Sequence, residues 1–412
     1  MFRRLLLAAS LALALAVPAH AGSALREVLF SGPPCGGALN AGSICSNVDF
    51  NFVGNSVIVN GSPSSFSSLL SVTRAQTVPS YAATLAGLLV PFDANIPRIT
   101  NQGLLVEESR TNDALWARDL TNAAWTKVNM TTAHNEVGAD GVASSATTLT
   151  ATAGNATVLQ TITLGSQADT SSVYLKCITC TGAIQITENN GTAWATCANL
   201  ITTNFVRCSV TATLANPIIG LRIVNSGDSV IADFFQMEPG GFVTSPIPTT
   251  TVAVARNADQ VAIIGLPLTL LEATSGSLLS ITNAIANGEG TDSPSIIGGT
   301  SAANGWYLRV GSATALNSKA ANTTLAATPG SSGNYQTGTV KSAVSWTAAG
   351  RSLVANNGTL TTDSNTFSST VNAWLGAVGS AGSPTSFMDG YNKRVTFWNT
   401  ALPNAQLSAV TQ

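Results

Sequence analysis

The feature that most narrows what this chain can fold into is its period-two patterning. Short runs alternate apolar with polar residues, and very few windows carry apolar residues at the three-to-four spacing of a helix. Residues 157–164, 172–176, 183–187, 205–210, 218–224 and 230–235 are such runs, punctuated by turn chemistry at Asn190-Gly191 and Ser226-Gly227-Asp228. A second series occupies 276–281, 305–310, 340–346, 351–355 and 391–398. Short strands at close intervals with turns between them specify an all-β architecture of paired sheets, a sandwich or jelly roll. The polar stretch 247–259 reads as the joint between two tandem modules, 103–246 and 260–412, with 22–102 as a small N-terminal segment. The one helix expected is a short turn over 404–410, following Pro403.

The N-terminus has the order of an export signal: Arg3 and Arg4, an apolar run over 5–17, Pro18, then Ala19-His20-Ala21. Cleavage is expected after Ala21, giving a secreted, periplasmic or cell-surface protein. The apolar run is shorter than the roughly 20 residues that span a bilayer, so no membrane span is expected. The first cysteine, Cys35, is too far downstream to carry a lipid at the cleavage point. Charged residues are 9% of the chain, against about 25% in ordinary soluble domains. Solubility therefore rests on Ser, Thr, Asn and exposed backbone, groups that also hydrogen-bond to sugars. A net charge of -2 without a Lys/Arg cluster in the mature chain offers no electrostatic footprint for nucleic acid or an anionic membrane.

All six cysteines lie beyond the signal, and in an exported chain disulfides are the default. Six cysteines allow 15 pairings. Local spacing favours Cys35 with Cys45, Cys177 with Cys180, and Cys197 with Cys208, the last as a staple between neighbouring strands. The rival is a zinc site from Cys177, Cys180, Cys197 and Cys208, but no histidine stands nearby and the second pair is widely spaced.

Catalytic machinery is sparse. After cleavage His134 is the one remaining histidine, placed by its surroundings in a polar loop without a nucleophile elbow. Glycoside hydrolysis needs two carboxylates facing each other across a cleft. In the C-terminal part the acids Asp259, Glu272, Glu289, Asp292, Asp363 and Asp389 are scattered singly, and Glu107 and Glu108 point to opposite faces if extended. Sugar binding asks for less: an aromatic face, planar polar groups, and a rigid sheet. Tyr174 and Lys176 share one face of their strand, while Arg207 and Arg222 each alternate with apolar neighbours. If these strands adjoin, the four converge on one face beside Asn190 and Trp194; the alternative is a solvated outer face. Trp116, Trp125, Trp346, Trp374 and Trp398 are expected in cores.

The stretch 103–112 (Gly-Leu-Leu-Val-Glu-Glu-Ser-Arg-Thr-Asn), with Leu115-Trp116-Ala117-Arg118 and Ala124-Trp125 after it and Arg74 and Arg98 before it, resembles a segment of phage and prophage tail-associated proteins. Phage structural proteins do not usually carry an export signal, which favours a bacterial or prophage-derived surface protein. From Asn112 to about Gly240 the order of features is similar to a galactose-binding-like jelly-roll carbohydrate-binding module. The C-terminal part, through Gly350-Arg351, Trp374-Leu375-Gly376 and Asp389-Gly390-Tyr391, is similar to concanavalin-like or laminin-G-like sandwiches. The resemblance implies non-catalytic recognition of polysaccharide or cell-surface glycans, in adhesion or targeting. It also implies structural calcium at Asp233, with a turn or capping role as the alternative there. A structural surface or tail-fibre-like component and a polysaccharide-degrading enzyme are the competing classes, and oligomers are compatible with each.

Overall fold

The alternating runs become strands in the computed structural model, which describes residues 40–41, 44–189, 191–200, 204–284, 295–299, 306–312, 315–320, 323–327, 338–365, 372–380 and 383–412. The proposed signal peptide and Cys35 lie outside the described residues. The chain is all-β apart from a few short helical turns.

Between residues 112 and 240 two five-stranded antiparallel sheets face each other. The first runs Thr126–Val128, Ala156–Thr161, Ile218–Ile223, Ile184–Thr187, Ala195–Thr196; the second runs Met130–Glu136, Ala146–Ala151, Ser229–Pro239, Gln167–Thr179, Val206–Leu214. Because side chains alternate sides along a strand, Val158, Ile186, Ile219 and Leu221 of the first sheet meet Leu149, Val173, Leu175 and Phe235 of the second in one core. Trp125 closes this core, its ring centroid 4.7 Å from Phe235 and its Nε1 donating to the Leu115 carbonyl at 3.0 Å. Cys177–Cys180 and Cys197–Cys208 both form. The second joins the edge of one sheet to the edge of the other, since Cys197 follows the first sheet's last strand and Cys208 sits on the second sheet's last strand. It clamps the two layers, where the sequence suggested neighbouring strands of one sheet. No cluster of metal-ligating residues, zinc or otherwise, occurs among the described residues.

The second sandwich pairs a ten-stranded with a seven-stranded sheet. Its core includes Phe50, Phe52, Val344, Trp346, Leu375 and Phe397. Strands from the segment 22–102 that the sequence sets apart, together with Gly103–Val106, which it assigns to the jelly roll, belong to this sandwich. Val48–Asn51 pairs with the chain's last strand, Gly390–Trp398, in the register Val48↔Phe397. Gly103–Val106 flanks the same strand through Leu105↔Tyr391, and Leu70–Thr73 pairs with Gln260–Ile263 in the facing sheet. Asp49 cements the closure by accepting from Arg394 Nε at 2.8 Å and the Thr396 hydroxyl at 2.9 Å. The jelly roll is therefore inserted into a sandwich built from both ends of the described chain. The period-two pattern tells which face a residue takes but not which distant strand it pairs with. The turn at Asn404–Ala409 forms as expected. A second helix, Leu266–Glu272, starts at a Pro-bearing first turn and is too short to display a period.

At the insertion point the outgoing strand Arg110–Asn112 pairs with the returning strand Val254–Arg256. Around them Arg74, Arg98, Arg256, Glu107 and Asp259 are all buried, with side chains at most 3% exposed. Arg74 Nη1 donates to Asp259 at 2.6 Å. The Arg98 guanidinium bridges Asp259 and Glu107, the latter at 2.8 Å, and also donates to the Tyr81 carbonyl at 2.7 Å and to Ser245 Oγ at 2.6 Å. The two acids exchange backbone support, since Glu107 N–H donates to the Asp259 carboxylate and Asp259 N–H to the Glu107 carbonyl, each at 2.9 Å. Burial by itself would raise the Glu107 carboxyl; Arg256 and Arg98, with the Ser245 hydroxyl, hold it down to about 2. Removing one partner would leave a guanidinium uncompensated in a water-free interior. Asp259→Ala should therefore lower unfolding free energy by about 3–5 kcal/mol, measured by urea denaturation, whereas an isolated exposed pair would change it by under about 1 kcal/mol.

Candidate functional site

Tyr174, Lys176, Arg207 and Arg222 were expected on one face, with Asn190 and Trp194 in the loop beside it, and the structure divides them. Arg222 and Trp194 belong to the first jelly-roll sheet; Tyr174, Lys176 and Arg207 belong to the second, whose outer surface points the opposite way. Asn190 lies outside the described residues.

On the first sheet, strand registers align Val128↔Thr157, Thr157↔Arg222, Arg222↔Gln185 and Gln185↔Thr196. Each belongs to the face opposite the buried Val158, Leu221, Ile184 and Ile186. A continuous outward row thus crosses all five strands, about 19 Å at the usual interstrand spacing. At its centre Gln185 Oε1 accepts from Arg222 Nε at 2.8 Å, while Gln185 Nε2 donates to Thr196 Oγ1 at 3.1 Å. The guanidinium carbon of Arg222 stands 4.5 Å from the Trp194 ring centroid, a cation–π contact that fixes both planes. The indole lies so close to Gly191 that a Cβ there would come 2.7 Å from Trp194 Cζ2, and Gly191 holds φ +72°.

The loop that carries Trp194 is braced from beneath. Thr187 Oγ1 donates to the Ala193 carbonyl at 2.7 Å, and the Ala193 N–H donates to Asn189 Oδ1 at 2.7 Å. Next to these, Glu188 is 3% exposed and accepts the Ser171 N–H. Burial, reinforced by the nearby Asp169, raises its carboxyl to about 8. Gln185 was missed in the sequence, although it stands between Ile184 and Ile186 as Arg222 stands between Leu221 and Ile223.

The part of the second sheet's outer face that carries Tyr174 is covered from within the chain. The hairpin made of Ser80–Ala83 and Leu89–Phe92 lays Tyr81 and Leu89 against Phe234, with Tyr174 and Phe205 packed on the same cluster. Tyr81 meets the Phe234 ring edge-on at 4.9 Å. Arg207 is the direct cross-strand neighbour of Tyr174, but its Nη2 donates to Ser172 Oγ at 2.8 Å and its Nη1 to the Thr244 carbonyl. Lys176 stands 5.2 Å from the Phe205 ring. Tyr174 packs against the hairpin's cluster and Arg207 ties down the 241–249 loop, so these two do not form an open surface.

Asp233 faces a guanidinium where the resemblance implied calcium. Arg118 Nε and Nη2 donate to its two oxygens at 2.8 and 2.9 Å, and the Ala139 N–H donates at 2.8 Å. Arg118 also binds Asp140 through Nη1 at 2.7 Å and covers the Phe234 ring at 4.0 Å. Calcium takes six or more oxygen ligands, and a carboxylate already committed to an arginine does not fit that role. His134 is part of the strand Met130–Glu136, not a loop; its Nδ1 faces both Thr147 Oγ1 at 3.2 Å and Asp119 at 4.0 Å, which is not the relay geometry of a triad.

No protein-family model matches the sequence, and no curated protein matches it. Several solved structures are similar. The Ruminococcus gnavus IT-sialidase CBM40 bound to alpha2,3 sialyllactose aligns at 16% identity over 35% of this chain and 86% of that one, with a TM-score of 0.29. The CBM22-1 xylan-binding domain from Paenibacillus barcinonensis aligns at 9% identity over 32% of this chain and 94% of that one, TM-score 0.24. Domains LG4-5 of the mouse laminin alpha1 chain align at 10% identity over 62% of this chain and 88% of that one, TM-score 0.20. Among the described residues no helix is long and apolar enough to cross a membrane.

Two measurements check this account of the site. Glu188 has a folded value above its ordinary 4.5, so it is held neutral in the fold. The stability it lends is complete below about pH 4.5 and is lost as pH rises through about 8. Thermal midpoints should fall over that window, and Glu188→Gln should flatten the fall. Removal of divalent ions with EDTA should leave the midpoint unchanged within about 1 °C, because each degree corresponds to only a few tenths of a kcal/mol and the Asp233 carboxylate is already matched by Arg118.

Proposed function

We propose that this protein recognises extracellular or cell-surface glycans without cleaving them, acting in adhesion or targeting, through the outer face of the first jelly-roll sheet. The observation that carries this reading is the Arg222–Trp194–Gln185 constellation on an outward row of Thr157, Arg222, Gln185 and Thr196. A pyranose presents an apolar C–H face and a rim of hydroxyls. A half-exposed indole supplies the stacking surface, and Gln185, Thr196 and Thr157 supply donors and acceptors beside it. Arg222 spends Nε and Nη2 on Gln185, leaving Nη1 for a ligand oxygen.

Rigidity supports the same reading. The planes of Trp194 and Arg222 are set by each other, by Gln185 and by Gly191, so little side-chain freedom remains to be lost on binding. The row's length suits an extended oligosaccharide rather than a single buried sugar. Binding without chemistry follows from the composition of the face: its ionisable member is an arginine, and no carboxylate stands in the row to act as acid, base or nucleophile.

The test is a glycan array followed by titration with whichever glycan scores. Trp194→Ala and Arg222→Ala should each weaken affinity at least tenfold, about 1.4 kcal/mol, while Tyr174→Phe leaves it unchanged. No reducing ends should be released on prolonged incubation. A protein that binds nothing on the array would instead favour a purely structural surface component.

A further inference from the structure

The second sandwich carries a shallow, open depression of about 270 Å³ that the jelly-roll platform does not use. It opens on the outer side of the ten-stranded sheet, where the chain turns from Trp398 into the helix Asn404–Ala409. Its lining includes a row of hydroxyl side chains in register on successive strands, Ser345↔Ser352 and Ser352↔Thr362, which Ser277↔Ser345 continues beyond it. These residues alternate with the buried Leu278, Val344 and Leu353, which places their hydroxyls on the face away from the main core.

The row is used unevenly. Ser277 is committed, since its hydroxyl donates to the Thr400 carbonyl at 2.9 Å and accepts the Leu402 N–H at 2.7 Å. Ser345, Ser352 and Thr362 make no side-chain hydrogen bond within the described residues, though Ser345 is only 5% exposed. Successive strands stand about 4.8 Å apart, so two hydroxyls of one small ring can each meet a different strand. Ala349, Ala401 and Leu402 add an apolar wall.

Charge excludes ionic ligands. The ion pair in the lining is compensated: Arg351 Nε and Nη2 donate to the Asp363 carboxylate at 3.0 and 2.9 Å, Asp363 also accepts from the Asn365 N–H and side-chain amide, and the Arg351 side chain is fully buried. Neither an anion nor a cation finds an uncompensated partner. The volume is at the small end for ligand sites, below the roughly 300 Å³ where drug-sized cavities begin. A small, neutral, hydroxyl-lined hollow with one greasy wall matches a single uncharged sugar ring.

We propose that this hollow is a second binding site, taking one neutral monosaccharide unit, free or at the end of a chain. It is separate from the platform carrying Trp194 and stands or falls independently of it.

Backbone amide NMR of the full chain, titrated separately with the methyl glycosides of glucose, galactose, mannose, xylose and N-acetylglucosamine, tests this. At least one glycoside should give saturable shifts at Ser345, Ser352 and Thr362. Ser352→Leu, which fills the hollow, should weaken those shifts at least tenfold. Thr362→Val, at an exposed position that tolerates the change, should weaken them severalfold, and Trp194→Ala should leave them intact. Absence of shifts at these three residues with all five glycosides would overturn the proposal. So would shifts that persist in both Ser352→Leu and Thr362→Val with the thermal midpoint unchanged.

Discussion

The interaction on which the rest of the structure depends is the buried set of Arg74, Arg98, Arg256, Glu107 and Asp259. It forms where the chain leaves one sandwich to build another and then returns. Ionised groups removed from water are tolerated only when closely matched by opposite charge. The pairing here draws on four separate stretches, so each must be in place for any to be stable. That requirement fixes the two linkers of the insertion side by side and ties them to the segment bearing Arg74 and Arg98.

The same set decides which surface remains open. Arg98 donates to the Tyr81 carbonyl and so holds the root of the Ser80–Phe92 hairpin. Tyr81 then lies on Phe234, a bulge residue at φ +47° that Arg118 covers from the other side. Left-handed backbone is costly for a bulky side chain, and these contacts offset the cost. The part of the second jelly-roll sheet around Tyr174 and Phe234 is thereby covered by the chain's own hairpin. The first sheet, on the far side of the core, keeps its polar row and its half-exposed tryptophan.

Much of this was legible in the residues, and the limit of legibility has a physical origin. Alternation correctly placed Val173 and Leu175 inside and Tyr174 and Lys176 outside, and the large aromatics Trp125, Trp346, Trp374 and Trp398 in cores. Short cysteine spacing found Cys177–Cys180 and Cys197–Cys208. Alternation is blind, however, to which strands adjoin. It could not pair Val48 with Phe397, and it could not separate Arg222 from Arg207, which show the same local pattern on opposite sheets. Nor does a strand pattern reveal that a remote hairpin will cover it. Asp233 illustrates a further limit, because a carboxylate poised for an ion and one poised for a guanidinium look alike until Arg118 is brought alongside.

The central claim of the proposal is that the open row around Trp194 and Arg222, rather than the hairpin-covered surface around Tyr174 and Arg207, is what meets a glycan. A crystal structure of the full chain with its best array glycan tests this most directly. The account predicts a sugar ring stacked on the Trp194 indole with a ring or exocyclic oxygen within hydrogen-bond distance of Arg222 Nη1, and the Ser80–Phe92 hairpin unmoved. A sugar lying on Tyr174 and Arg207, with that hairpin displaced, would contradict it.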